Sequence, residues 1–324
     1  MREPAPDTAN RPTTTEPAPA VSRLRAWLMA ARPQTLPAGA SPVIVGTGAA
    51  IGVGVFHFGA ALAALLGALL IQIGTNFAND YYDALNGADS DRRVGFRRVT
   101  AGGLIDGRTV YRAMWIAFAG AVVVGCYLVW LAGWPIVAVG LVSIAAGIAY
   151  TGGPAYGYKG LGDLFVFVFF GLVAVNGTFY VQAAAPVTPL PLGLPDGALS
   201  GHALLASLPA AGLTTCMLVI NNVRDADGDR EAGKRTLVVR FGRSAARLEF
   251  LGLLTLAYGV PVAMALADGV WARLLPLLTV PLAAWIVRTL YTTTDGPTLN
   301  RTLKRCGQLM LAHSLLFATG LAVS

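Results

Sequence analysis

Two short stretches carry the residues best suited to chemistry. In the run Gln72-Ile-Gly-Thr-Asn76-Phe-Ala-Asn79-Asp80-Tyr-Tyr-Asp83, the polar positions Asn76, Asn79, Asp80 and Asp83 are related by steps of three and four. On an α-helix such residues share one face. In Asn221-Asn222-Val-Arg224-Asp225-Ala-Asp227-Gly-Asp229, the residues Asn222, Asp225 and Asp229 do the same, with Asn221 at the flank. Carboxylates on one stripe repel unless a cation or bases neutralise them. Hard oxygen donors select magnesium, calcium or manganese over zinc. Magnesium takes one or two carboxylates and completes its shell with water and substrate phosphate. Two facing stripes would therefore clamp a diphosphate through metal. Lys234 and Arg235 follow the second stripe, and Arg92 and Arg93 the first, where they could neutralise a departing diphosphate. An ordinary polar helix end explains either stripe alone. It explains a matching pair poorly if both sit at membrane depth, where acids are costly. Asp89, Asp91 and Asp227 fall in water-facing loops and read as solvated charge.

The elements that hold these stripes are membrane helices. Of 324 residues, 55% are hydrophobic and only 13% charged, with a mean hydropathy of +0.61. A soluble domain carries about 25% charged residues, so much of this surface faces something other than water. The apolar runs Ala60–Ile73, Ala113–Leu131 and Leu161–Val181 lie in windows near the ~20 residues that span a bilayer. Repeated spans imply an all-α bundle, because unpaired backbone cannot face lipid. Hydropathy and helix breakers predict nine transmembrane helices, over 33–55, 60–82, 110–131, 135–150, 162–183, 203–222, 246–267, 271–291 and 304–323. Residues 1–22, rich in Pro, Thr and Ala, are too poor in large apolar side chains to fold and read as a disordered tail. Residues 23–324 then form one membrane domain.

Basic residues set the orientation. Arg2, Arg11, Arg23, Arg25 and Arg32, the Arg92–Arg112 region, Lys159, the Arg224–Arg247 region and Arg288–Arg305 all fall on one predicted side. The other side holds only Arg273. By the positive-inside rule the N-terminus is cytoplasmic, the C-terminus is outside, and both acidic stripes face the cytoplasm. Residues 184–202 form the longest outer loop. The net charge of +7 is read as topology plus attraction to anionic membrane lipid, not to nucleic acid. Cys126, Cys216 and Cys306 are scattered and read as small buried hydrophobes. The three histidines show no zinc-ligand spacing.

A third segment, Tyr150-Thr-Gly-Gly-Pro154-Ala-Tyr156-Gly-Tyr158-Lys159-Gly-Leu-Gly-Asp163, is a glycine- and proline-marked turn between two spans. It is either a loop with interfacial tyrosines or a lid that brings aromatic and polar groups over the pocket.

At these residues the chain resembles the UbiA superfamily of intramembrane prenyltransferases, from about Ala30 onward. Its NDxxDxxxD motif is matched by Asn79, Asp80 and Asp83, with Gly87 in place of the last Asp, for which Asp89 could substitute. Its DxxxD motif is matched by Asp225 and Asp229. The longer string from Asn221 through Gly233-Lys234-Arg235-Thr236-Leu237 is similar to the group that prenylates 1,4-dihydroxy-2-naphthoate for menaquinone synthesis. The resemblance implies helices around a central cavity, with a polyprenyl diphosphate as donor and Mg2+ as cofactor. It implies that Asn79, Asp83, Asp225 and Asp229 bind metal, that Asp80 and Asn222 bind or support it, and that Lys234 and Arg235 hold phosphate. Tyr150 and Tyr158 would shield an allylic cation, and the ring would lose carbon dioxide and a proton. Prenylation of 4-hydroxybenzoate or another acceptor, and divalent-cation transport along the same carboxylates, stay open at this point.

Overall fold

The structure is a computed structural model that describes residues 21–87, 95, 98–186, 190–191 and 193–323. The tail up to residue 20, and Asp89, Asp91, Arg92 and Arg93, lie outside the described residues. Among the described residues the fold is all helical. In chain order the elements are α1 (Arg23–Ala31), α2 (Leu36–Gly52), α3 (Phe58–Leu85), α4 (Gly107–Ala132), α5 (Pro135–Ala149), α6 (Gly162–Val166), α7 (Ala174–Ala184), α8 (Gly201–Glu231), α9 (Leu237–Asp268), α10 (Val280–Thr292) and α11 (Gly296–Ala322). A π-helical stretch, Phe167–Val173, fuses α6 and α7 into one span, and a 3-10 stretch, Trp271–Thr279, leads into α10. Among the described residues, six helical segments are long and apolar enough to cross a membrane, whereas α5 is a shorter apolar helix. The chain is a multi-pass membrane bundle, and the expected all-α class holds, with six such spans among the described residues against the nine expected.

Sequence chemistry sets the helix starts. The α3 N-cap is His57, whose Nδ1 accepts the Ala60 N–H at 3.0 Å. Ser200, Thr236 and Asp295 cap α8, α9 and α11 in the same way. At 28 and 31 residues, α3 and α8 are about 42 and 46 Å long. Both overshoot a hydrocarbon core of about 30 Å. This corrects the expected ends at residues 82 and 222. The acidic stripes ride on the last helical turns rather than beginning the loops. The helix α1 was not expected, and it precedes the first predicted span.

The helix α8 is central, since most of its apolar stretch is buried inside the protein, against about one third in the other long spans. It packs on α9 and, through the π stretch, on α6–α7. Gly171 makes that second crossing possible. A Cβ there would overlap Ala211 Cβ and stand 2.5 Å from Ala211 Cα. Gly171→Val should therefore cost about 1–3 kcal/mol or more by overpacking, read as a lower unfolding temperature in detergent. Gly177→Ala, at a position with open space beside it, should leave that temperature unchanged. Cys216 and Cys306 are buried as expected, whereas Cys126 is exposed.

Candidate active site

Two adjoining cavities occupy the bundle. The polar one measures about 170 Å³ and the apolar one about 310 Å³. Thr75, Tyr150, Val166 and Phe170 line both, so the two cavities meet at these residues. The polar cavity gathers most of the residues singled out from sequence: Asn79 and Asp83 from α3, Asn222, Asp225 and Asp229 from α8, Lys234, and Tyr150 and Tyr158.

Asp83 is the hub. It is 2% exposed and receives three donors. Arg98 Nη2 donates at 2.6 Å, Tyr158 O–H at 2.7 Å and Lys234 Nζ at 3.3 Å. Lys234 Nζ also stands 3.7 Å from Asp229 Oδ1, so one cation bridges the two acidic stripes. It lies 4.5 Å from the centre of the Tyr158 ring. Asp225 is held in bidentate fashion by Arg224, from Nε at 2.8 Å and Nη2 at 2.6 Å. Arg224 also donates to Asn221 and to Asn300 of α11. Asn79 accepts from the Thr151 hydroxyl at 3.0 Å, and Asn222 donates to Asp163 at 3.5 Å.

Two sequence-predicted residues lie elsewhere. Asp80 is buried but outside the cavity lining. It accepts the backbone N–H groups of Val99 at 3.3 Å and Thr100 at 2.9 Å. The cause is helical phase, since one residue past Asn79 is a rotation of about 100°. Asp80 thus fixes the turn that carries Arg98, and does not face the pocket. Arg235 is exposed, and its main-chain N–H bonds the Tyr158 carbonyl at 2.7 Å. Its neighbour Lys234 points inward, and successive side chains in an extended stretch alternate. Asp227 is exposed and pairs with Arg243 at 2.8 Å, as a solvated charge should. Gly87 adopts φ 66° just past α3, the left-handed conformation that ends helices and favours glycine. Sequence reasoning missed Arg98, Arg224 and Arg32, all of which touch or line the site.

The Tyr150–Asp163 segment lies where the two cavities meet, with Tyr156 lining the apolar one and Thr151, Gly157 and Tyr158 the polar one. Gly160, at φ 77°, lies so close to the start of α9 that a Cβ would stand 2.6 Å from the Arg235 carbonyl. Arg240 Nη2 donates to the Lys159 carbonyl at 2.6 Å on the same seam. The Tyr156 ring stacks on Phe165 at 3.9 Å, and burial pushes its phenol well above the usual range, so it stays neutral. The apolar cavity continues between α3, α4, α5 and α6–α7, past Gly125, Gly140 and Gly177.

The donor set suits a hard divalent ion. Carboxylate and amide oxygens from two helices converge on a cavity where Lys234 already serves as a shared cation for Asp83 and Asp229. Among the described residues no three Asp, Glu, His or Cys side chains enclose a point by themselves. Magnesium needs only one or two carboxylates when phosphate and water fill the remaining positions.

These features define a class: a helical membrane protein whose two acid-bearing helix ends close a polar chamber that adjoins an apolar one. Residues 40–315 match the UbiA prenyltransferase family, and the chain belongs to that family. It is 37% identical over 297 residues to a 1,4-dihydroxy-2-naphthoate octaprenyltransferase of Mycobacterium tuberculosis, spanning 91% of this chain and 96% of that protein. It is 39% identical over 328 residues to the Escherichia coli protein of the same description, spanning 94% and 97%. The apo structure of a UbiA homologue from Aeropyrum pernix superposes with a TM-score of 0.65 at 15% identity, over 87% of this chain and 96% of that one. A UbiA homologue from Archaeoglobus fulgidus bound to GPP and Mg2+ superposes with a TM-score of 0.58 at 15% identity, over 90% and 99%.

Proposed function

We propose that this protein transfers a polyprenyl group from polyprenyl diphosphate to 1,4-dihydroxy-2-naphthoate with loss of CO2. The product is demethylmenaquinol, in menaquinone biosynthesis. The observation that carries the reading is the adjoining pair of cavities. One holds fixed cations and oxygen donors for a diphosphate, and the other is an apolar channel for an isoprenoid chain. The identity to octaprenyltransferases over nearly the whole chain supports the acceptor.

In this reading the diphosphate lies among Asn79, Asp83, Asp225, Asp229 and Lys234, with its first prenyl carbons beside Tyr150, where the two cavities meet. Mg2+ held by those oxygens would neutralise charge on the leaving diphosphate. Lys234 supplies positive charge on the same side, and Arg98 holds the Asp83 carboxylate in place. The Tyr150 ring, which lines both cavities, would shield the carbon that becomes cationic. The apolar wall beyond it keeps water from that carbon. The biased basic residues support a cell-membrane location with the acidic helix ends and the N-terminus on the cytoplasmic side.

The test is product formation by purified protein in detergent with farnesyl diphosphate, 1,4-dihydroxy-2-naphthoate and Mg2+, with 4-hydroxybenzoate in parallel. The expected result is a decarboxylated prenyl-naphthoquinol that disappears on adding EDTA and returns with excess Mg2+. Product from 4-hydroxybenzoate alone would overturn the assigned acceptor, and undiminished turnover in EDTA would overturn the metal site.

A further inference from the structure

The acids of the polar cavity are already paired, and by two kinds of cation. Arg98 Nη2 lies 2.6 Å from Asp83 Oδ2 and Arg224 Nη2 lies 2.6 Å from Asp225 Oδ2, with the arginine side chains 7% and 2% exposed. Both are short, charge-assisted contacts from planar guanidinium groups. Asn221 and Asn300 of α11 accept further bonds from Arg224 and fix it in place. Lys234 is held differently. Its Nζ stands 3.3 Å from Asp83 Oδ1 and 3.7 Å from Asp229 Oδ1, against about 2.7–2.9 Å for a tight ammonium–carboxylate bond. The side chain lines the cavity and spans both acidic stripes without closing tightly on either.

The backbone beneath Lys234 is anchored, while its stem is not. Gly233, at φ 73°, turns the chain off the end of α8. The Lys234 N–H then bonds the Asp229 carbonyl at 2.8 Å, and the Arg235 N–H bonds the Tyr158 carbonyl at 2.7 Å. From this fixed base a flexible four-carbon stem carries an ammonium with three rotatable donors. The Tyr158 ring, 4.5 Å from Nζ, attracts the ammonium without imposing a bond axis. Of the cations seen against these acids, Lys234 is therefore the one that can change partners.

We propose that Lys234 is an exchangeable counterion. It holds Asp83 and Asp229 until a diphosphate arrives, then moves to the phosphate oxygens and frees both carboxylates for a divalent cation. The inference rests on the transfer reaction proposed above for the nature of the diphosphate. Two consequences follow from charge. A divalent ion without diphosphate has to share Asp83 and Asp229 with the ammonium between them, so it binds weakly. A diphosphate draws the ammonium away and adds its own oxygens, so metal and diphosphate favour each other reciprocally. Lys234 thereby ties metal capture to the presence of the donor. Were it a phosphate ligand alone, metal binding without diphosphate would not depend on it.

The test is equilibrium dialysis of full-length protein in detergent against Mn2+, as a countable substitute for Mg2+, with no prenyl substrate present. Lys234→Met and Lys234→Gln, either of which removes the charge, should bind Mn2+ at least about tenfold more tightly than wild type. Lys234→Arg, which keeps the charge, should bind it no more tightly than wild type. Lys159→Met removes the same charge from an exposed side chain next to Tyr158, and should leave Mn2+ affinity within about twofold of wild type. Inorganic diphosphate, added at fixed free Mn2+, should raise bound Mn2+ in the wild type by a larger factor than in Lys234→Met. Unfolding temperatures measured without metal show which variants are folded. Mn2+ affinity in the folded neutral variants equal to or weaker than that of wild type overturns the inference, as does a gain of the same size in Lys159→Met. Turnover with farnesyl diphosphate and 1,4-dihydroxy-2-naphthoate is measured separately. Tighter metal binding in the neutral variants of a protein that transfers nothing would sink the reaction assignment and leave the counterion standing.

Discussion

Asp83→Asn should lower turnover at least about 1,000-fold and raise the Mg2+ concentration needed for what remains. The substitution preserves shape. The asparagine oxygen can still accept from Tyr158 at the site where the carboxylate receives 2.7 Å and 2.6 Å bonds from Tyr158 and Arg98. What vanishes is the charge. Arg98, 7% exposed, loses the anion beside it, and Lys234 keeps only Asp229 of the two acids it bridges. With one carboxylate fewer against the same cations, the cavity attracts a further cation less strongly. The protein should remain folded, at a cost of about 3 kcal/mol for breaking the buried Arg98–Asp83 pair, so activity and thermal unfolding must be read together. Turnover within tenfold of wild type, with an unchanged Mg2+ requirement, would sink the metal site.

Asp80→Ala should also cripple the protein, about 100-fold in turnover, through a different route. Asp80 binds two backbone N–H groups in the turn that begins at Arg98. Without that carboxylate the two amides lose a charged acceptor, a cost of about 1–3 kcal/mol, and Arg98 loses its fixed approach to Asp83. The Mg2+ requirement should stay at its wild-type value, and Asp80→Asn, which keeps an oxygen in place, should recover part of the rate. A raised Mg2+ requirement in Asp80→Ala would instead make Asp80 a metal ligand and overturn its positioning role.

The contrast between these neighbours shows what the sequence could and could not reveal. Spacing alone put Asn79, Asp83, Asp225 and Asp229 on helix faces, and all four line one cavity. The same spacing treated Asp80 as equivalent to Asp83. Only the packing of the segment after residue 98 separates them. Arg98 was one basic residue among several, because its partner lies fifteen residues earlier across a connection without periodicity. Arg224 sits next to Asp225 in sequence, where helical reasoning places side chains apart, yet its long stem folds back into a bidentate pair. The polar run Gln72-Asn76 was legible as a stripe. Its role in holding Arg32, through Asn76 bonds to the Ala31 carbonyl and to Thr35, was not, because the left-handed turn at Arg32 has no compositional signal when glycine is absent. The helix α1 is nine residues long with Arg23 and Arg25 exposed, too short and too charged to register in a hydropathy window.

Helix α5 has a consequence that reaches beyond the protein itself. Of its fifteen residues only Ile136 is buried, yet Val137, Val139 and Leu141, all exposed, also line the apolar cavity. On that side the wall is one loosely packed helix thick, and the solvent beyond it is hydrocarbon. Acyl chains and the prenyl chain are therefore rivals for the same space. The relevant concentration of donor is its mole fraction among lipids in two dimensions, not its molarity in the sample. Diluting the membrane with inert lipid at constant total donor should slow the reaction as surely as removing substrate. Saturation curves taken in micelles then measure the detergent as much as the protein.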